Sequence, residues 1–113
     1  MFVFLISDNP VLAPALELAA KRRGERFYHM EALADALFFI HDLRPDVVVL
    51  DGALVPESFD WGEAMRAFPV LSEVRWVALS APWPIGPQPQ FVFTLPVDPF
   101  VFHETLAAKL GAG

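Results

Sequence analysis

The chain has 113 residues, 55% of them hydrophobic and 19% charged, and no cysteine; that is enough for one domain with its own core and too little for two, and it excludes a disulfide framework or a thiolate metal site. Eight Lys and Arg against fourteen Asp and Glu leave a formal charge of -6, which sets the surface against phosphate backbones. No apolar run approaches the roughly 18 to 20 residues that cross a bilayer, and Met1 to Ile6 has no basic leader, so the expectation is a cytoplasmic protein that binds neither membrane nor nucleic acid.

Phe2 to Ile6 is an apolar run of strand length, followed at once by the turn residues Ser7-Asp8-Asn9-Pro10. The spacing predicts a helix over Pro10 to Arg23, with Asn9 as N-cap and Pro10 at the tolerated first position; Pro14 cannot donate and is expected to delay the regular helix, and Gly24 ends it. The one basic cluster, Lys21-Arg22-Arg23-Gly24-Glu25-Arg26, falls at that helix end. Cations there complement the helix dipole, so it reads as a terminus rather than a nucleic-acid patch. Arg26 to Met30 follows as a short strand. Ala32, Leu33, Ala36, Leu37, Ile40 and Leu43 then recur at helical spacing until Pro45 forbids continuation.

Val47 to Leu50 reads as a central strand buried on both faces, and the run closes on one carboxylate, Asp51. The carboxyl end of such a strand is where open α/β sheets place their chemistry, which makes Asp51 the first candidate, although Asp51-Gly52 equally suits a loop start. Phe59 to Phe68 predicts a weaker helix stopped by Pro69, Val74 to Leu79 a fourth strand, Phe91 to Leu95 a fifth, and Phe100 to Leu110 a last helix. Between the fourth and fifth strands, residues 82 to 89 hold four prolines. They remove backbone donors and fix φ, so the fourth crossover helix is expected to be short or replaced by a Pro-rich loop. Apolar runs alternating with helical segments predict an α/β fold, a parallel sheet wrapped by helices, as one domain over 1–113 with no output domain.

Ser7-Asp8-Asn9-Pro10 after the first strand, Asp51 at the end of the third, Val77-Ala78-Leu79-Ser80-Ala81 and Leu95-Pro96-Val97-Asp98-Pro99-Phe100 together resemble the ordered landmarks of a response-regulator receiver domain, CheY-like, over almost the whole chain. The resemblance implies a flavodoxin-like, doubly wound sheet of five parallel strands in the order 2-1-3-4-5. It further implies Asp51 as acceptor of a phosphoryl group from a histidine kinase, Asp8 and Asp51 as magnesium ligands, and Ser80 as the hydroxyl switch. Two landmarks depart from the pattern. Ser7 stands where the first of two paired acidic residues is expected, and Asp98, or Val97 with a one-residue shift, stands where the resemblance calls for a lysine. An aspartate attacking a phosphoryl centre brings like charges together, so losing cations disables the reaction.

Three readings follow. The first is a stand-alone, degenerate receiver-like domain, not an enzyme, that signals by protein–protein interaction without ordinary phosphotransfer. The second is a receiver still phosphorylated on Asp51 in a two-component phosphorelay, with magnesium bound through Asp8. The third is a small flavodoxin-like ligand or nucleotide binder, against which stands the lack of a Gly-rich phosphate loop after the first strand. Most of the apolar material around the altered crossover, Trp83, Ile85, Phe91, Phe93, Phe100 and Phe102, is expected to be core, with Trp83, Ile85 and Phe102 as candidates for a face that binds a protein partner or a second copy. His29, His41 and His103 share no spacing and are assigned no role.

Overall fold

The structure is a computed structural model that describes residues 1–81, 83, 86–90, 92–93 and 98–110. Five parallel strands, β1 (Phe2–Ile6), β2 (Arg26–Met30), β3 (Val47–Asp51), β4 (Arg75–Leu79) and β5 (Val92–Phe93), form one sheet in the order β2-β1-β3-β4-β5. Four α-helices accompany them: α1 (Leu12–Arg22), α2 (Leu33–Leu43), α3 (Trp61–Ala67) and α4 (Pro99–Lys109). Short 3-10 turns at Gly52–Leu54 and Pro69–Ser72 flank α3. This is the doubly wound, flavodoxin-like topology.

Alternation along the central strands sorts their side chains between two cores. Val3, Leu5, Val47, Val49, Val77 and Leu79 meet Leu12, Ala13 and Leu16 of α1 and Phe102 and Leu106 of α4. Phe4, Ile6, Val48, Leu50, Trp76 and Ala78 meet Leu33, Ala36, Leu37 and Ile40 of α2 and Trp61 and Ala64 of α3. Each fully buried side chain of this kind contributes about 1.5–3 kcal/mol relative to exposure.

The helix ends follow local chemistry. Asn9 Oδ1 accepts from Val11 N–H at 3.0 Å and Leu12 N–H at 3.2 Å, so it ties down the entry to α1 as expected, although the helix begins at Leu12 rather than Pro10. Pro14 does not delay α1: it sits in the first turn, where a missing N–H costs no helical bond. Asp60 Oδ1 accepts from Glu63 N–H at 2.9 Å and caps α3, which is shorter than the spacing of Phe59 and Phe68 predicts. Asp98 Oδ1 accepts from Phe100 and Val101 N–H at 2.9 and 3.3 Å and caps α4.

Among the described residues no helix joins β4 to β5. Trp83 instead turns into the core, 7% exposed, and its Nε1 donates to the Pro87 carbonyl at 2.6 Å. Its ring lies 5.8 Å from that of Trp61 and 5.9 Å from that of Trp76. Gly86, at φ +132°, presses on Trp61 so closely that a Cβ there would lie 2.7–2.8 Å from the indole. Of the three residues assigned to an exposed interaction face, two are therefore inside. Trp83 is one, and Phe102, 1% exposed and 4.6 Å from the Phe93 ring, is the other, because each supplies the volume that closes its side of the sheet. Ile85 lies outside the described residues, as do Phe91, residues 94–97 and residues 111–113.

One polar group is sealed between α1 and α4. His103 is fully buried, with Nδ1 3.0 Å from Glu25 Oε1 and Nε2 3.0 Å from the Leu16 carbonyl. Burial pulls its pKa below the ordinary imidazole range. The Glu25 carboxylate and the Leu16 carbonyl, both acceptors, pull the other way without overturning that direction.

Candidate functional site

The parallel register brings three strand ends together at the carboxyl edge of the sheet. Ile6 pairs with Leu50 and Asp51 with Leu79, so Ser7, Asp51 and Ser80 emerge from neighbouring strands. Asp51 is 5% exposed, and its Oδ1 accepts from Ala53 N–H at 3.0 Å, which anchors the turn that follows β3. Half of the carboxylate is thus already engaged by its own loop.

Ser7 is fully buried and held from several sides: its N–H donates to the Met30 carbonyl at 3.1 Å, its Oγ accepts from Asn9 N–H at 3.2 Å, and its carbonyl lies 2.7 Å from His29 Nε2. The His29 contact has no sequence signature, since one side chain reaching across from the edge strand leaves no periodic trace. Asp8 beside it is exposed.

Ser80 is half-buried at φ +71°, unusual for a residue with a side chain. Its N–H donates to the Phe93 carbonyl at 2.8 Å, and Ala81 N–H donates back to the Leu79 carbonyl at 2.9 Å, closing a three-residue turn. That turn leans on the loop after β3: a Cβ on Gly52 would lie 1.8 Å from the Ala81 carbonyl oxygen, so only glycine fits.

The cations lie elsewhere. Lys21 pairs with Glu17 on α1 at 3.8 Å, and Lys109 ends α4. Arg75 opens β4 in register with Val47, at the amino edge opposite Asp51, and its guanidinium donates to the Leu110 carbonyl. Arg66 occupies the last turn of α3. Asp98 is exposed and engaged in capping α4; Val97 lies outside the described residues.

The magnesium site that the resemblance implies would draw on Asp8 and Asp51. Such an ion draws on carboxylate oxygens and water in octahedral array. Beside Asp8 stands the buried Ser7, whose Oγ accepts from a backbone N–H, and among the described residues no group of three or more His, Asp or Glu gathers where a metal ion could be held. Nor is any helix among the described residues long and apolar enough to cross a membrane.

Comparison with known proteins bears on the fold. No family model matches the chain, and no curated protein matches it by sequence. Solved structures do. A response regulator from Desulfuromonas acetoxidans superposes with a TM-score of 0.79 at 12% identity, over 97% of this chain and 96% of that one. The chemotaxis response regulator CheY4 of Vibrio cholerae gives 0.73 at 15%, over 95% and 96%. The receiver domain of sensor histidine kinase PA1611 from Pseudomonas aeruginosa, described with magnesium coordinated in its active site cleft, gives 0.70 at 20%, over 96% of each chain. At such identities the likeness is one of fold: this chain shares the five-stranded, flavodoxin-like architecture of those receiver domains.

Proposed function

We propose that this chain is a receiver-like module that signals through protein–protein contact without ordinary phosphotransfer. The observation that carries the reading is Asp98. Where the resemblance calls for a lysine to meet the phosphoryl oxygens, this chain has a carboxylate whose Oδ1 accepts from two N–H groups at the start of α4. An anion there is stabilised by the helix N-terminus and repels an incoming phosphoryl group. The buried Ser7 in place of an acidic residue and the engaged Oδ1 of Asp51 support the same reading. It makes the chain a binding protein rather than an enzyme.

The test is to incubate the protein with magnesium and acetyl phosphate and record intact mass for wild type and Asp51→Asn. No gain, where an ordinary receiver run in parallel is modified, is the expected result. A stable gain in wild type alone would overturn it in favour of a phosphorylatable receiver, the reading that the place of Asp51 at the carboxyl end of β3 favours.

A further inference from the structure

Helices α2 and α3 lie on the same face of the sheet, and the groove between them is unfilled. One hollow of about 340 Å³ is lined by Leu33, Leu54, Pro56 and Phe59 with Glu31 at its edge. A second, of about 250 Å³, is lined by Leu37, Phe59 and Phe68 with Asp60 and Glu63. Phe59 lines both hollows, and the side chains between their acidic edges are apolar. Beside it Phe38 is 61% exposed and meets Phe68 edge-on at 5.0 Å between ring centres.

The charged residues that line the two hollows are all acidic, with Arg66 on α3 as a neighbouring cation near Asp60. Glu31, Asp60 and Glu63 are exposed, and among the described residues none of them forms an ion pair, whereas Glu17, Glu25 and Glu73 each have a basic partner within 4.0 Å. An apolar floor lined at its edge by three carboxylates against one neighbouring guanidinium complements an apolar stripe flanked by Lys or Arg. A two-fold pairing of this face with itself would set the acidic rims against one another, in a chain that already carries -6.

We infer that the α2–α3 groove docks a basic amphipathic helix of a partner protein, its apolar stripe on Leu37, Phe59 and Phe68 and its cations on Glu31, Asp60 and Glu63. The inference rests on the reading of the chain as an interaction module and names the partner's chemistry. The probe is a fluorescein-labelled helical peptide of about 18 residues built from Leu and Lys with one apolar face, alongside the same peptide with Glu for every Lys. Anisotropy gives affinity, and amide chemical shifts of the whole chain give location.

The Lys peptide is expected to bind saturably and to shift amides of α2, α3 and residues 54–60, and the Glu peptide is not. Glu31→Lys with Glu63→Lys is expected to weaken binding roughly tenfold, and Phe38→Ser severalfold, with unchanged far-UV circular dichroism. No saturable binding up to about 1 mM, shifts confined to another surface, indifference to the charge reversal, or self-association that occupies the groove would each overturn the inference. These failures are separate from that of the functional reading, because phosphoryl transfer is read as mass on Asp51 and docking as shifts on α2 and α3.

Discussion

The two faces of the sheet are closed by different means. On one, two eleven-residue helices, α1 and α4, lay regularly spaced Leu, Ala and Phe over the strands. On the other, α2 is joined by a helix of only seven residues, and between β4 and β5, where the described residues form no helix, Trp83 packs with Trp61 and Trp76 while the backbone of Gly86 lies against Trp61. The difference teaches that a sheet needs apolar volume over it more than it needs a helix. A tryptophan buries about 150–250 Å², and proline-fixed φ angles lower the entropy cost of holding an irregular segment in place.

The strongest way to break that comparison is to delete volume from each face in turn. Phe102→Ala, beneath α4, and Trp83→Ala, in the irregular cover, are each expected to cost about 3–5 kcal/mol in urea unfolding. If Trp83→Ala costs less than about 1 kcal/mol, well below the range for a buried Trp, the segment is draped on the core rather than part of it. A finer probe adds volume. Gly86→Ala places a methyl 2.7–2.8 Å from the Trp61 ring at a φ that side chains avoid, and is expected to cost about 1–3 kcal/mol. Gly24→Ala, also at positive φ but with no atom within 4 Å of the added carbon, separates backbone strain from collision.

How much of this was legible in the sequence differs between the same two regions. The strands were, because β1, β3 and β4 are buried on both faces and so appear as short apolar runs; the strand order stands as expected, and among the described residues so does a β4–β5 crossover without a helix. Helices α1, α2 and α4 match the predicted spans to within two residues at each end, their core faces having helical spacing. The aromatic cover was not. A proline-rich segment has no period, so nothing in the order of Trp83 and Gly86 distinguishes an indole turned inward from one offered to a partner. At α3, Phe59 fits the helical spacing yet precedes the helix and stacks edge-on against Trp61 at 4.8 Å. At the candidate site the sequence marks which residues stand at the strand ends. It does not show that Asp51 Oδ1 bonds Ala53 N–H or that Ser80 takes a positive φ, because both depend on how neighbouring loops meet.

The helical face carries its own irregularity, and acid sharpens the comparison there. The folded-state pKa of His103 is lowered by burial, so below the ordinary value of about 6.5 the unfolded chain binds more protons than the folded one. Stability attributable to the neutral ring is complete above that value and is lost as the pH falls through the folded-state pKa. Chemical denaturation at pH 7.5, 6.5 and 5.5 is expected to show a falling midpoint, and His103→Gln, which does not titrate, a smaller fall. Glu25→Gln removes the charge that opposes the effect, so its acid loss should be steeper than that of wild type. An unchanged or rising midpoint in wild type would mean that the Glu25 contact outweighs burial.

The smallest effect tests where fold and site meet, at Asp98. If this carboxylate serves α4 as an N-cap, Asp98→Ala is expected to cost about 1 kcal/mol, within the usual range for a lost cap, and Asp98→Asn only a few tenths, because an amide oxygen can accept from Phe100 and Val101 N–H as well. Asn also removes the negative charge. Intact-mass measurement of Asp98→Asn with acetyl phosphate therefore separates two ways in which the position can oppose phosphotransfer. A gain that appears only in this variant assigns the block to repulsion by the carboxylate. No gain in either protein means that repulsion by the carboxylate is not the sole block, and it is the outcome expected on the proposed reading, in which a cation is missing at this position and Ser7 and the Asp51 Oδ1 bond also stand against the reaction.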